Sequence, residues 1–134
     1  MRGFPPTVLG IPALYWFASL GLCSPYLQGG LTKALNFDMA LAEMSHFGLA
    51  PAGPIAIATI ALELGASLLI LIGVWRWLAA LALAGFTLAA TFLANQFWAA
   101  EAAERLAMTN AFFEHLGLVG GFLLVAWHDV QRTS

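Results

Sequence analysis

The sequence predicts an all-α, polytopic membrane protein: a bundle of four transmembrane helices with a short interfacial amphipathic helix between the first and second spans. Three observations predict it. Apolar residues make up 61% of the 134 residues and charged residues only 9%, against about 45–50% and about 25% in soluble domains. Mean hydropathy is +0.85. Four stretches, residues 8–28, 54–73, 77–98 and 108–127, approach the roughly 20 apolar residues a helix needs to cross the hydrocarbon core. No period-two alternation survives along them, which argues against a β-barrel. The spans use most of the chain, so residues 1–134 read as a single integral membrane domain.

Composition also excludes function classes. The formal net charge is −2, so no basic surface is expected to attract nucleic acid. A single cysteine, Cys23, allows no internal disulfide and no cysteine-based metal cluster. No phosphate-binding loop, dinucleotide fingerprint or zinc helix occurs. No metal site is predicted, and no autonomous cofactor is evident.

Span one follows Arg2, and its apolar run outlasts a secretory signal core, so it is expected to be retained. Between spans one and two, residues 36–48 read as the amphipathic helix. Phe37, Leu41, Met44 and Phe47 share one face. Asn36 is the expected N-cap, Asp38 suits the first turn, and Gly48 is the expected stop. Flat on the outer interface, this helix reads as a brace or lid, or as a gate. Orientation follows lysine and arginine. With both termini cytoplasmic, Arg2, Arg76 and Arg132 lie inside, and Lys33 and Arg105 outside.

The informative residues are polar ones inside the spans. An ionised side chain at a helix centre costs about 2.5–3.5 kcal/mol, so such residues face a bundle interior or a partner. Glu63 lies in span two; Glu114, with His115 beside it, lies in span four. The alternating direction of the spans brings Glu63, Asn110 and Glu114 to the outer half of the bundle, with Lys33 just beyond span one. Thr59, Glu63, Ala66 and Ser67 form one stripe; Thr87, Thr91 and Asn95 form another; Asn110, Glu114, Gly117 and Gly121 form a third. The expected pocket is therefore Lys33, Glu63, Asn110, Glu114 and His115. Lys33 is the counter-ion, Glu63 and Glu114 are ion-pairing or proton-sharing groups, and Asn110 and His115 are hydrogen-bond partners. The same residues would serve either a polar lock that sets helix register or a pocket for a ligand or proton. No catalytic residue is assigned. A homo-oligomer through a Gly117–Gly121 face is a further reading.

Several short motifs carry a resemblance. They are Gly30–Leu31–Thr32–Lys33, Leu62–Glu63–Leu64–Gly65, Leu71–Ile72–Gly73–Val74–Trp75–Arg76, Asn110–Ala111–Phe112–Phe113–Glu114–His115–Leu116 and Gly120–Gly121. In this order and spacing the chain resembles the DoxX family of small four-span membrane proteins. It departs from the family's pattern in having no lysine or arginine between Arg2 and Lys33. The resemblance implies a multi-pass protein of the bacterial cytoplasmic (inner) membrane. It also implies an accessory subunit of a redox-linked complex, with other membrane or peripheral subunits as partners and quinone as the associated cofactor class. The alternative it implies is a quinone-interacting oxidoreductase component.

Overall fold

The computed structural model describes residues 12–133. Those residues are helical apart from short connections: α1 (Pro12–Leu35), α2 (Phe37–His46), α3 (Ala52–Ile72), α4 (Arg76–Ala94), a 3-10 turn (Phe97–Ala99) and α5 (Ala102–Thr133). In the bundle α1 lies beside α3, α3 beside α4 and α4 beside α5, and α5 meets α1 more lightly. The core holds Cys23, Tyr26, Ile70, Leu83 and Phe122.

Three of the helical segments are long and apolar enough to cross a membrane: Ala52–Ile72, Arg76–Ala99 and Ala102–Arg132. The expected first span differs. Its residues 8–11 lie outside the described residues, and α1, 24 residues long, falls short of the other three in apolarity. Ser19, Ser24, Pro25, Tyr26, Gln28 and Lys33 interrupt its apolar run. Lys33 also lies inside the last turn of α1 rather than beyond it. Proline within a helix leaves a carbonyl four residues earlier without its N–H donor. Here Ser24 Oγ donates to that carbonyl, Gly21 O, at 2.7 Å, and α1 continues past Pro25.

Close approach of α1 and α3 depends on Gly30. A Cβ there would lie 2.8 Å from Leu64 Cδ2 and 3.3 Å from Glu63 Cβ. That contact sets Lys33, one turn further along α1, over Glu63.

A helix forms where one was expected between the first two apolar stretches, as α2 (Phe37–His46). The Asn36 side chain accepts from Met39 N–H at 3.4 Å. Ala40 and Met44 bury against Ala56 of α3, with Phe37 and Leu41 partly covered. Gly48, at φ 72°, ends it, and Leu49 N–H reaches back to Met44 O at 2.9 Å. Only a residue tolerant of the left-handed region closes a helix this way. α2 thereby covers the end of the bundle where α1 finishes and α3 starts.

The opposite end is closed by a tight α3–α4 turn. Gly73, at φ 83°, donates its N–H to Leu69 O at 2.9 Å. Arg76 Nε donates to Ile70 O at 2.8 Å, satisfying a carbonyl at the C-terminus of α3, where a cation is favoured. Its guanidinium lies 5.3 Å from the centre of the Tyr15 ring. From α5, buried Asp129 accepts the Trp77 N–H at 3.1 Å, and Arg132 donates to the other oxygen of Asp129 at 3.0 Å.

Candidate functional site

A cavity of about 500 Å³ lies beneath α2, walled by α1, α3, α4 and α5. Most of its wall is apolar, supplied by Met44, Phe47, Ile55, Phe86, Leu93 and Leu118 among others. The polar groups converge from different helices. Lys33 comes from α1, Glu43 from α2, Glu63 and Thr59 from α3, Thr87 from α4 and His115 from α5.

Lys33 and Glu63 form the central contact. Lys33 Nζ donates to Glu63 Oε1 at 2.9 Å. Their side chains are 16% and 8% exposed, so the pair is withdrawn from the surroundings on both sides. Glu43 Oε1 stands 3.8 Å from the same ammonium and is half exposed. One cation thus faces two carboxylates, one buried in the bundle and one carried by α2. A second polar contact crosses the bundle diagonally: the Tyr26 hydroxyl hydrogen-bonds the Thr87 hydroxyl. Both residues are buried, and the Tyr26 ring packs edge-on against Phe122 with centroids 5.3 Å apart. Thr59 Oγ1 donates to Ile55 O of its own helix at 2.9 Å, which spares the hydroxyl an unpaired burial. His115 Nδ1 is bonded to Ala111 O. A carbonyl only accepts, so Nδ1 is the donor in this contact.

Of the five expected pocket residues, Lys33, Glu63 and His115 line this cavity. Asn110 and Glu114 do not; both are exposed on α5. The third expected stripe is split. Gly117 is exposed with Asn110 and Glu114, whereas a Cβ at Gly121 would lie 3.0 Å from Leu22 of α1. The physical reason is competition between faces of one helix. Phe112, Phe122, Val125, Ala126 and Asp129 are buried, and this larger, mostly apolar side of α5 takes the bundle. Among the described residues, no three His, Cys, Asp or Glu side chains gather as a metal-binding group.

Sequence reasoning did not include Glu43, Tyr26 or Thr87 in the pocket, nor the Asp129 network at the far end. Signals for two of them existed. Glu43 adjoins Met44 on the buried side of α2, and Asp129 follows Phe122 by seven residues, two helical turns along the same side of α5.

The DoxX family model matches residues 15–96, more than half of the chain. The chain belongs to the DoxX family. It is accordingly a small integral membrane protein, multi-pass and in contact with the lipid bilayer. The DoxX match includes both members of the Lys33–Glu63 pair, together with Tyr26, Glu43 and Thr87, and ends before α5. Among curated proteins and solved structures, none matches the chain.

Proposed function

We propose that this DoxX protein is an accessory subunit of a redox-linked complex in the bacterial inner membrane, and that it holds a small lipophilic ligand in the cavity beneath α2. The reading takes α1 as a fourth span and α2 as an interfacial helix on the outer side, with both termini cytoplasmic. That orientation keeps Arg76 and Arg132 inside and Lys33 and Arg105 outside.

One observation carries it: a buried ammonium–carboxylate contact at 2.9 Å on the wall of a largely apolar cavity of about 500 Å³. Cavities of roughly 300–1,000 Å³, apolar with a few convergent polar groups, are the usual form of a small-molecule site. The polar end, with Lys33 between Glu43 and Glu63, has two acidic groups and one basic group. It therefore disfavours an anionic head and accepts a neutral one that takes a hydrogen bond.

A quinone, the ligand class the family resemblance implies, fits these residues. Its carbonyl oxygens accept, Lys33 and the Tyr26–Thr87 hydroxyls carry donors, and Phe86, Leu93 and Leu118 suit an apolar ring. When bound, a quinone supplies two-electron carrier chemistry. The chain's own residues bind and orient it, and α2 screens the site.

The test is extraction and mass spectrometry of quinones from the full chain purified gently out of quinone-replete membranes. The expected result is co-purifying quinone that is lost when Lys33→Met and Glu63→Leu are made together. A parental protein free of quinone, or a double variant that retains it, overturns the proposal.

A further inference from the structure

The inward side of α1 is polar along its length. Tyr15, Ser19, Cys23, Tyr26, Gly30 and Lys33 follow one another at spacings of four or three residues, and none is exposed. All but Gly30 carry a side-chain hydrogen on oxygen, sulfur or nitrogen. Helix α3 lies against α1 and adds Glu63 and Ser67, one turn apart and both buried. Buried positions are ordinarily filled by apolar side chains, so packing alone does not account for this file.

Two of its hydroxyls are unpaired. Ser19 is 3% exposed and Ser67 fully buried, and neither oxygen has a hydrogen-bond partner among the described residues; nor has the buried Tyr15 hydroxyl. Ser24, Thr32, Thr59 and Thr109 each donate to a carbonyl about one turn back in their own helix, the ordinary way for a helical hydroxyl to be satisfied. Ser19 and Ser67 make no such bond. Ser19 stands beside Tyr15, and Ser67 of α3 stands beside Cys23 of α1. Unpaired hydroxyls in a core are costly, and bound water is what usually satisfies them. The file is open at both ends. Near the α3–α4 turn the Tyr15 ring lies against His128 of α5, centroids 4.6 Å apart, and His128 is exposed. At the other end Tyr26 and Glu63 line the cavity beneath α2.

We propose that this file binds internal water and conducts protons from His128, at the end closed by the α3–α4 turn, to Glu63 on the cavity wall. The order of groups is His128, Tyr15, Ser19, Ser67 beside Cys23, then Glu63. Successive groups on one helix face stand about 5.4 Å apart, one turn, a gap that a single water molecule bridges with a hydrogen bond on each side. Each hydroxyl and each water has a donor hydrogen and free lone pairs. It takes a proton from one neighbour as it releases its own to the next, so no net charge stays in the seam. His128 can pass a proton through either ring nitrogen. Proton relay is one of the few roles that keep polar side chains inside membrane helices. A lock that only fixed helix register would pair its members, as Lys33 pairs with Glu63; Ser19 and Ser67 are left open. The inference does not depend on which ligand the cavity holds.

Cys23 is the single cysteine of the chain, so its S–H stretch is an infrared reporter of one point inside the file. The full chain in lipid nanodiscs is moved into D2O, and loss of the S–H band is timed against exchange of the slowest backbone amides in the same sample. The expected result is that the thiol, although fully buried, exchanges several-fold faster than those amides. Ser19→Ala with Ser67→Ala should slow it several-fold. Tyr15→Phe should slow it as well, which fixes the side of entry. Alanine suits a helix and removes an unpaired hydroxyl, so the fold is preserved. Thr32→Ala, on the same helix but off the file, should leave the rate unchanged. A parental thiol that exchanges no faster than the slowest amides overturns the proposal. So does a rate that the serine or tyrosine variants leave unchanged, or one that Thr32→Ala slows equally.

Discussion

The two ends of the bundle both bury charge, and they do it in different ways. At the α2 end, Lys33 and Glu63 satisfy each other, side chain to side chain, on the wall of a cavity. At the other end, Arg76 and Asp129 are held to backbone: Arg76 to the Ile70 carbonyl, Asp129 to the Trp77 N–H. A side-chain pair can be removed as a unit, because deleting both members leaves no buried polar group behind. A backbone cap cannot, because the amide or carbonyl it satisfied stays. The first arrangement is replaceable as structure, which makes its position on a cavity wall the informative fact. The second is what closing a helical turn requires.

The sharpest way to break this comparison is to remove one partner, then both. Lys33→Met alone leaves the Glu63 carboxylate buried without its counter-charge and should cost about 3–5 kcal/mol of stability, measured by unfolding in detergent micelles. Adding Glu63→Leu should bring stability back to within about 1 kcal/mol of the parental protein, because buried ion pairs replaced by apolar groups are often neutral. A double variant as unstable as the single would show that the α2 end is also a structural clamp.

The corresponding experiment at the other end should come out differently. Asp129→Leu strips the cap from α4 and the ion pair from Arg132, at a cost of about 2–3 kcal/mol. Adding Arg132→Leu should recover less than about 0.5 kcal/mol, since Trp77 N–H remains unpaired. Full recovery would mean that the ion pair, not the cap, was the stabilising contact.

The smallest effect is expected at Glu43, half exposed and 3.8 Å from Lys33. Glu43→Gln should change stability by less than about 0.5 kcal/mol, as exposed ion pairs do. A change comparable to that of Lys33→Met would move the dominant carboxylate from α3 to α2.

Much of the fold was readable from local signals. Asn36 and Gly48 mark the ends of the α2 reading because a cap and a left-handed stop are made by single residues. The long apolar runs of α3, α4 and α5 need no partner to be recognised. The polar stripe Thr59–Glu63–Ser67 was readable too, and all three residues are buried. What misled was α5, where polar content suggested the inward side. Asn110 and Glu114 gave a sound expectation about what lipid disfavours, but that expectation does not say whether the same chain or another provides the cover. In α1 the serines, Pro25 and Gln28 thin out the apolar run that length alone suggested.

The sequence by itself determined that the chain is helical and membrane-embedded, and it named Lys33 as the counter-ion for Glu63 or Glu114, because hydrophobicity and a buried charge's need for its opposite act at the level of single residues; the structure chose Glu63. Only the tertiary structure decided which side of α5 faces inward and that α2 brings Glu43 to the same ammonium. It also decided that Asp129 caps a helix more than fifty residues away in sequence, since Trp77 N–H is its partner. Those outcomes depend on which surfaces fit against which, and shape complementarity between helices is settled only when all of them are packed at once.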